Sequence, residues 1–91
     1  MSTENVDLRV SPLQCKAARA LLEITQPELA EMASLGLSTV VDFENGRRQV
    51  SEAAIRSMQI ALENAGIDFI PENGGGPGVR LKKRHTSNTK S

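Results

Sequence analysis

Apolar residues recur at helical spacing in several parts of this chain, and each part begins with a capping signal. The first begins at Ser11 and Pro12, a cap residue followed by proline, which is typical of a helix start. Its apolar side would consist of Cys15, Ala18, Leu21 and Leu22. The pattern predicts a helix over residues 13–22. Residues 1–10 are polar and unpatterned, and we expect them to be disordered.

The stretch from Thr25 to Gly46 predicts two short helices joined by a tight turn. Thr25 and Glu28 have the spacing of a capping box, in which each side chain accepts a hydrogen bond from the other residue's amide. The apolar side of this helix would be Leu29, Ala30, Met32 and Ala33. After a break at residues 34–36, a second helix would run from near Leu37 to Glu44 and end at Asn45 and Gly46. The predicted core of the pair is Leu29, Leu35, Val40 and Phe43.

The C-terminal half predicts a longer helix and then a hairpin. Ser51 caps a segment from Glu52 to about Ala65, whose buried stripe would be Ile55, Met58 and Leu62. Two short runs, residues 67–70 and 79–82, flank a glycine-rich loop and suggest a β-hairpin. We therefore expect a helical domain over residues 11–66, a hairpin over 67–83, and a disordered basic tail over 84–91.

The central two-helix stretch resembles the phage repressor/Cro-type (Xre-like) helix-turn-helix family. The resemblance is carried by Gln26, the run Glu28-Leu29-Ala30, the run Ser38-Thr39-Val40, and the run Glu44-Asn45-Gly46. With the flanking helices it extends from about Ser11 to Leu62. It implies a mainly all-α fold of four to five helices, here with a C-terminal hairpin, and a second helix that reads DNA. A generic helical hairpin is the alternative.

The resemblance also implies roles for individual residues. The DNA-binding set that it suggests is Gln26, Leu37, Ser38, Thr39, Val41, Asp42, Asn45, Arg47 and Arg48. Gln26 matches a position that bonds the DNA backbone, and Arg47 and Arg48 lie in a linker where the family makes phosphate contacts. As exposed loop charges, the two arginines could also be inert. The positions of Arg19 and Glu44 form a largely buried ion pair in the family.

An ion pair between Arg19 and Glu44 is also expected on physical grounds. Glu44 lies at the C-terminal end of its predicted helix, where the helix dipole disfavours an acid. A carboxylate there is stabilised by a cation, and arginine can bind it with two parallel hydrogen bonds. The alternative is that both are solvated surface charges.

Matched to the family, the positions that would face the bases are Leu37, Ser38, Val41 and Asp42. None of them is the arginine, lysine, glutamine or asparagine on which direct readout usually relies. Ser38 could bond a base edge, and Leu37 and Val41 could contact thymine methyl groups. Asp42 could accept from cytosine N4 or repel phosphates. Leu37 and Val41, one turn apart, could equally form a protein-binding stripe. The turn also departs from the family pattern, which has glycine in place of Ser34 and a cap residue in place of Gly36.

Charge and composition limit the classes of function that the chain could perform. The chain has 91 residues and zero formal net charge, but residues 80–91 hold five basic residues and no acid. This tail could contact phosphates or simply be solvated. A single cysteine, Cys15, allows no internal disulfide and is expected to be a small buried residue. With one histidine, His85, and no paired catalytic groups, we expect no enzyme, metal site or cofactor.

Together these features predict a sequence-specific transcriptional regulator. We expect it to bind a palindromic site in double-stranded DNA as a homodimer, in the cytoplasm of a bacterium or as a phage-encoded protein, with no membrane association. The alternative is a helix-turn-helix fold used to bind a protein partner, as in an anti-activator or antitoxin. The hairpin is the expected dimer surface, through Ile67, Phe69, Ile70, Val79 and Leu81. Alternatively, it folds back and completes the core of the monomer.

Overall fold

The computed structural model describes residues 9–47 and 49–82, which form four helices followed by a two-stranded antiparallel sheet. The elements are α1 (Pro12–Leu22), α2 (Gln26–Ala33), α3 (Leu37–Asn45), α4 (Glu52–Asn64), β1 (Ile67–Ile70) and β2 (Gly78–Leu81). The predicted class, mainly helical with a C-terminal hairpin, is confirmed. The predicted basic tail, residues 84–91, lies outside the described residues.

Hydroxyl side chains set the starts of three helices. Ser11, Thr25 and Ser51 precede α1, α2 and α4, and each accepts a hydrogen bond from the backbone amide three residues on. This satisfies a donor that a helix start otherwise leaves unpaired. α3 begins instead after Gly36, which provides no side-chain cap.

Small and branched apolar residues from all four helices and β1 form one core. α2 packs against both α3 and α4, while α1 contacts α3, α4 and the hairpin. The buried cluster consists of Val10, Cys15, Ala18, Leu29, Ala30, Ala33, Val40, Phe43, Ile55, Met58, Ala61, Leu62 and Ile67. The predicted core of the helix pair is present, since Leu29, Val40 and Phe43 are buried and Leu35 packs against them.

Two residues assigned to the buried side of their helices are instead partly exposed. Leu21 in α1 and Met32 in α2 keep 41% and 42% of their surface accessible. In α2 the buried side is covered by Leu29, Ala30 and Ala33. Met32 is rotated roughly 100° about the helix axis from its neighbour Ala33, which places it at the margin of that side. The buried faces of α1 and α2 are therefore narrower than the spacing of apolar residues predicted.

The folded region begins before Ser11, so the prediction of disorder over residues 1–10 is wrong for its last two residues. Val10 is buried, and Arg9 forms an ion pair with Glu52 at the start of α4. Val10 directly precedes the cap of α1, and Cys15 is the fourth residue of that helix. A hydrophobic residue before the cap often packs on the fourth helical residue as a hydrophobic staple. Residues 1–8 lie outside the described part.

The hairpin packs on the helices of its own chain. Antiparallel pairing places Ile67 opposite Leu81 and Phe69 opposite Val79, so these four side chains share one face of the sheet. Ile67 is buried, and Phe69 and Val79 pack against the core. The loop end of the hairpin is held by Gln14 of α1, whose Nε2 donates to the carbonyl oxygens of residues 70 and 78 at 3.3 and 3.0 Å.

This packing corresponds to the alternative in which the hairpin completes the monomer core. Most of the apolar surface assigned to dimer contact is therefore used inside one chain. Leu81 is the exception among the residues named for that surface, with 51% of its surface exposed. Ile70 is half-buried.

Candidate nucleic-acid interface

α2, a three-residue connection and α3 form the helix-turn-helix unit. The capping box at its start is complete: the Glu28 amide donates to the Thr25 hydroxyl at 3.2 Å, and the Thr25 amide donates to the Glu28 carboxylate at 2.8 Å. α2 ends at Ser34, which adopts the left-handed conformation with φ of 58°. This conformation costs a serine more than a glycine, so Ser34 places backbone strain at the turn.

A bidentate ion pair connects α1 to α3 beneath this unit. Arg19 donates from Nε and Nη2 to the two carboxylate oxygens of Glu44, both at 2.7 Å. The Glu44 side chain is fully buried, while the Arg19 side chain is 20% exposed. Arg19 Nη1 also donates to the carbonyl oxygen of Ile24, just before α2, at 3.2 Å. One arginine thus links α1, the start of α2 and the end of α3.

Two further donors complete the surroundings of Glu44. The Cys15 thiol donates to Oε2 at 3.2 Å, and Gln26 Nε2 donates to Oε1 at 3.0 Å. Cys15 lies one turn before Arg19 on the same side of α1. This spacing is the sequence signal that could have placed the cysteine at the ion pair. Nothing in the sequence indicated that Gln26 would join the same network.

The network shifts the pKa values of its members in ways that follow from burial and donation. Burial acts to raise the pKa of Glu44, but the hydrogen bonds from Arg19, Cys15 and Gln26 outweigh it and hold that pKa below its ordinary value. Hydrogen bonding to Glu44 raises the pKa of Arg19. Burial, followed by donation to Glu44, raises the pKa of the Cys15 thiol well above its usual range. The thiol is therefore protonated and is a poor nucleophile.

The outer side of α3 is accessible and mostly uncharged. Leu37 is 46% exposed, Ser38 and Asn45 are exposed, and Val41 and Asp42 are half-buried. The buried side consists of Val40, Phe43 and Glu44. Thr39 is half-buried at the edge between these two sides. The structure thus places the predicted base-facing residues Leu37, Ser38, Val41 and Asp42 away from the core, together with Asn45.

The start of α3 is sterically open. A Cβ atom built on Gly36 would have no atom within 4 Å beyond its immediate neighbours. Gly36 is exposed, and no side chain caps the first turn of α3. A flat or convex surface could therefore approach the backbone of this turn closely.

The basic residues predicted to contact phosphate are only partly described. Arg47 is exposed and directly follows the glycine cap of α3, while Arg48 lies outside the described residues. Gln26 is half-buried and one of its amide hydrogens is directed to Glu44. Because Nε2 carries two hydrogens, one donor of Gln26 remains for another acceptor at the start of α2.

The surface around α3 carries limited positive charge. Glu28 and Glu31 are exposed on α2, and α3 itself contains no lysine or arginine.

Within residues 9–47 and 49–82, no group of three or more histidine, cysteine or acidic residues could hold a metal ion. In the same ranges, no helix has the length and apolar character needed to cross a bilayer.

Neither a scan against models of protein families nor a search of curated proteins finds a match to this sequence.

Proposed function

We propose that this protein binds double-stranded DNA and regulates transcription, with α3 in the major groove, in the manner of the Xre-like family that its sequence resembles. The observation that supports this most is the helix-turn-helix unit itself, in which α3 presents Leu37, Ser38 and Asn45 on an accessible side. A helix held in this way can enter the major groove with the first turn leading. Such a role places the protein in the bacterial cytoplasm with the DNA.

Binding as a homodimer follows from the size of the unit. One helix-turn-helix reads a half-site, and two of them related by a two-fold axis would lie roughly 34 Å apart on a palindrome. A single copy offers few phosphate contacts in the described part, chiefly Arg47 and the starts of α2 and α3. A second copy doubles these contacts, so we expect measurable affinity mainly from the dimer.

A protein-binding role is the second candidate, and the uncharged outer side of α3 favours it. Leu37 and Val41 lie one turn apart on a helix without basic residues. Apolar side chains of this kind are common in helix contacts between proteins. The salt dependence of DNA binding distinguishes the two roles, because release of counterions from phosphates makes DNA affinity fall steeply with salt.

The first test is selection of bound sites from random duplexes by the full-length protein at low salt. We expect a palindromic consensus and an affinity that decreases as salt is raised. Ser38→Glu, on the exposed side of α3, should abolish binding by repelling phosphates. Ala20→Glu adds the same charge at an exposed position of α1 and should leave binding within about twofold. Absence of any enriched sequence would refute the proposal.

A second test concerns the phosphate contacts. Arg47→Ala should weaken all DNA sites about equally and flatten the logarithmic salt slope by about one unit per protomer. Arg56→Ala removes an exposed arginine from α4 and serves as the matched control. A slope unchanged by Arg47→Ala would remove this residue from the contact surface.

A further inference from the structure

The chemical groups that α3 can offer to a base pair are unusually restricted. Its accessible side combines the methyl groups of Leu37 and Val41 with the short polar side chains of Ser38 and Asn45. None of these side chains is positively charged. Asp42, an acidic residue on this side, is half-buried. It is therefore poorly suited to read cytosine.

One base-pair feature in the major groove matches exposed aliphatic groups. Thymine carries a C5-methyl group there, and the other three bases offer hydrogen-bonding atoms without a methyl. Leu37 loses the water around its exposed 46% when it contacts such a methyl, which is favourable for both apolar surfaces. Leu37 lies in the first turn of α3, the part that enters the groove first.

The glycine before Leu37 makes a close contact feasible. No protein atom occupies the space beside Gly36 where a side chain would project. The backbone at the start of α3 can therefore come near the DNA without displacing a cap residue. A larger residue here would hold Leu37 farther from the floor of the groove.

We infer that each half-site contains a thymine whose methyl group packs against Leu37 and Val41, so that the operator is read chiefly through methyl contacts rather than hydrogen bonds. This inference rests on the proposed function, since it specifies which DNA the same surface selects. It assigns Leu37 and Val41 as specificity-determining residues. Ser38 is left to bond an adjacent base edge or phosphate.

The experiment replaces thymine with uracil, which removes the C5-methyl group and leaves the hydrogen-bonding pattern intact. Starting from the selected duplex, each thymine of a half-site is replaced in turn, and the affinity of the full-length protein is measured at fixed salt. Loss of one buried methyl contact should weaken binding about fourfold. Leu37→Ala should bind the thymine duplex more weakly and should no longer distinguish it from the uracil duplex at that position.

Matched controls separate the contact from indirect effects. Leu13→Ala truncates a leucine that is 73% exposed on α1, and it should keep the full discrimination between thymine and uracil. Comparing wild type with Leu37→Ala on both duplexes cancels any change that the missing methyl makes in the DNA itself. Thermal unfolding checks that Leu37→Ala remains folded, as expected for an exposed site.

The possible results have distinct meanings. Discrimination at one thymine that disappears in Leu37→Ala supports the inference. Equal affinity for every uracil duplex, discrimination that persists in Leu37→Ala, or a selected half-site without thymine overturns the inference while DNA binding stands. Failure to enrich any duplex refutes the proposed function, and the inference falls with it.

Discussion

Removing Arg19 should destabilise the protein more than removing Glu44, although the two residues form one ion pair. Arg19→Met keeps the aliphatic part of the side chain and leaves the carboxylate of Glu44 without its cation. That carboxylate is fully buried. Glu44→Gln leaves Arg19 unpaired instead, but this side chain is 20% exposed and can turn part of its charge to water. The stranded charge is therefore more costly in the first variant.

The size of the effect follows from the geometry. Breaking a buried pair by removing one partner costs about 3–5 kcal/mol. We expect Arg19→Met near the upper end of this range, because Cys15 and Gln26 would be the side-chain donors left to Glu44 among the described residues. Glu44→Gln should lie at about 3 kcal/mol. Since small domains are stable by only about 5–15 kcal/mol, either change should lower the melting temperature by 10 °C or more, on the order of 4–8 °C for each kcal/mol.

Urea unfolding of wild type, the two single variants and the double variant measures this directly. The double variant has no stranded charge, so it should be more stable than the sum of the two single losses implies, by about 1 kcal/mol or more. Additive losses would show that the two groups do not interact energetically. Losses under about 1 kcal/mol in both single variants would mean that the pair behaves like an exposed surface pair.

The same network makes stability depend on pH. The pKa of Glu44 is held below that of an unfolded glutamate, which is about 4.3. Its contribution to stability is therefore fully present above that value and is lost as the pH falls through the lower pKa of the folded state. Unfolding free energies measured from neutral pH to about pH 3 should decrease less steeply in Glu44→Gln than in wild type. Equal slopes for the two proteins would contradict the lowered pKa.

Three further predictions concern the core, the turn and the dimer. Leu29→Ala should cost about 2–5 kcal/mol in urea unfolding because Leu29 is fully buried, whereas Met32→Ala should cost under about 1 kcal/mol; similar losses would contradict the observed burial. Ser34→Gly should raise the free energy of unfolding by up to about 1 kcal/mol, since glycine adopts the left-handed conformation without strain, and a decrease would indicate an unseen role for the serine. Leu81→Glu should shift sedimentation toward monomer if the open end of the hairpin, where Leu81 is exposed, forms the dimer contact, and an unchanged dimer would place the interface elsewhere.

Local sequence signals predicted most of the helix boundaries. The capping box at Thr25 and Glu28, the proline at residue 12 and the glycine at residue 46 act within one or two turns of backbone. Such signals are independent of the rest of the fold, so they can be interpreted from a short stretch of sequence. The spacing of Val10 and Cys15, one residue before the cap and the fourth residue of the helix, is a signal of the same class.

Features that depend on distant parts of the chain were not predictable in the same way. The hydrogen bonds from Gln14 to the ends of both strands join residues more than fifty positions apart. They hold the hairpin against α1. The alternation of apolar residues in the hairpin, by itself, fits a monomer core and a dimer surface equally well. The connection of Gln26 to Glu44 is of the same kind. Only the relative positions of α2 and α3 reveal it.

The labelling rate of the buried Cys15 thiol measures how often the folded protein opens. Its sulfur is inaccessible and donates to Glu44, so a thiol reagent can react only after α1 separates from α3. Under native conditions the labelling rate equals the rate for a free thiol multiplied by the fraction of molecules in that open state. With a single cysteine in the chain, the signal comes from one site, and labelling in the presence of a selected duplex would show how much DNA suppresses these openings.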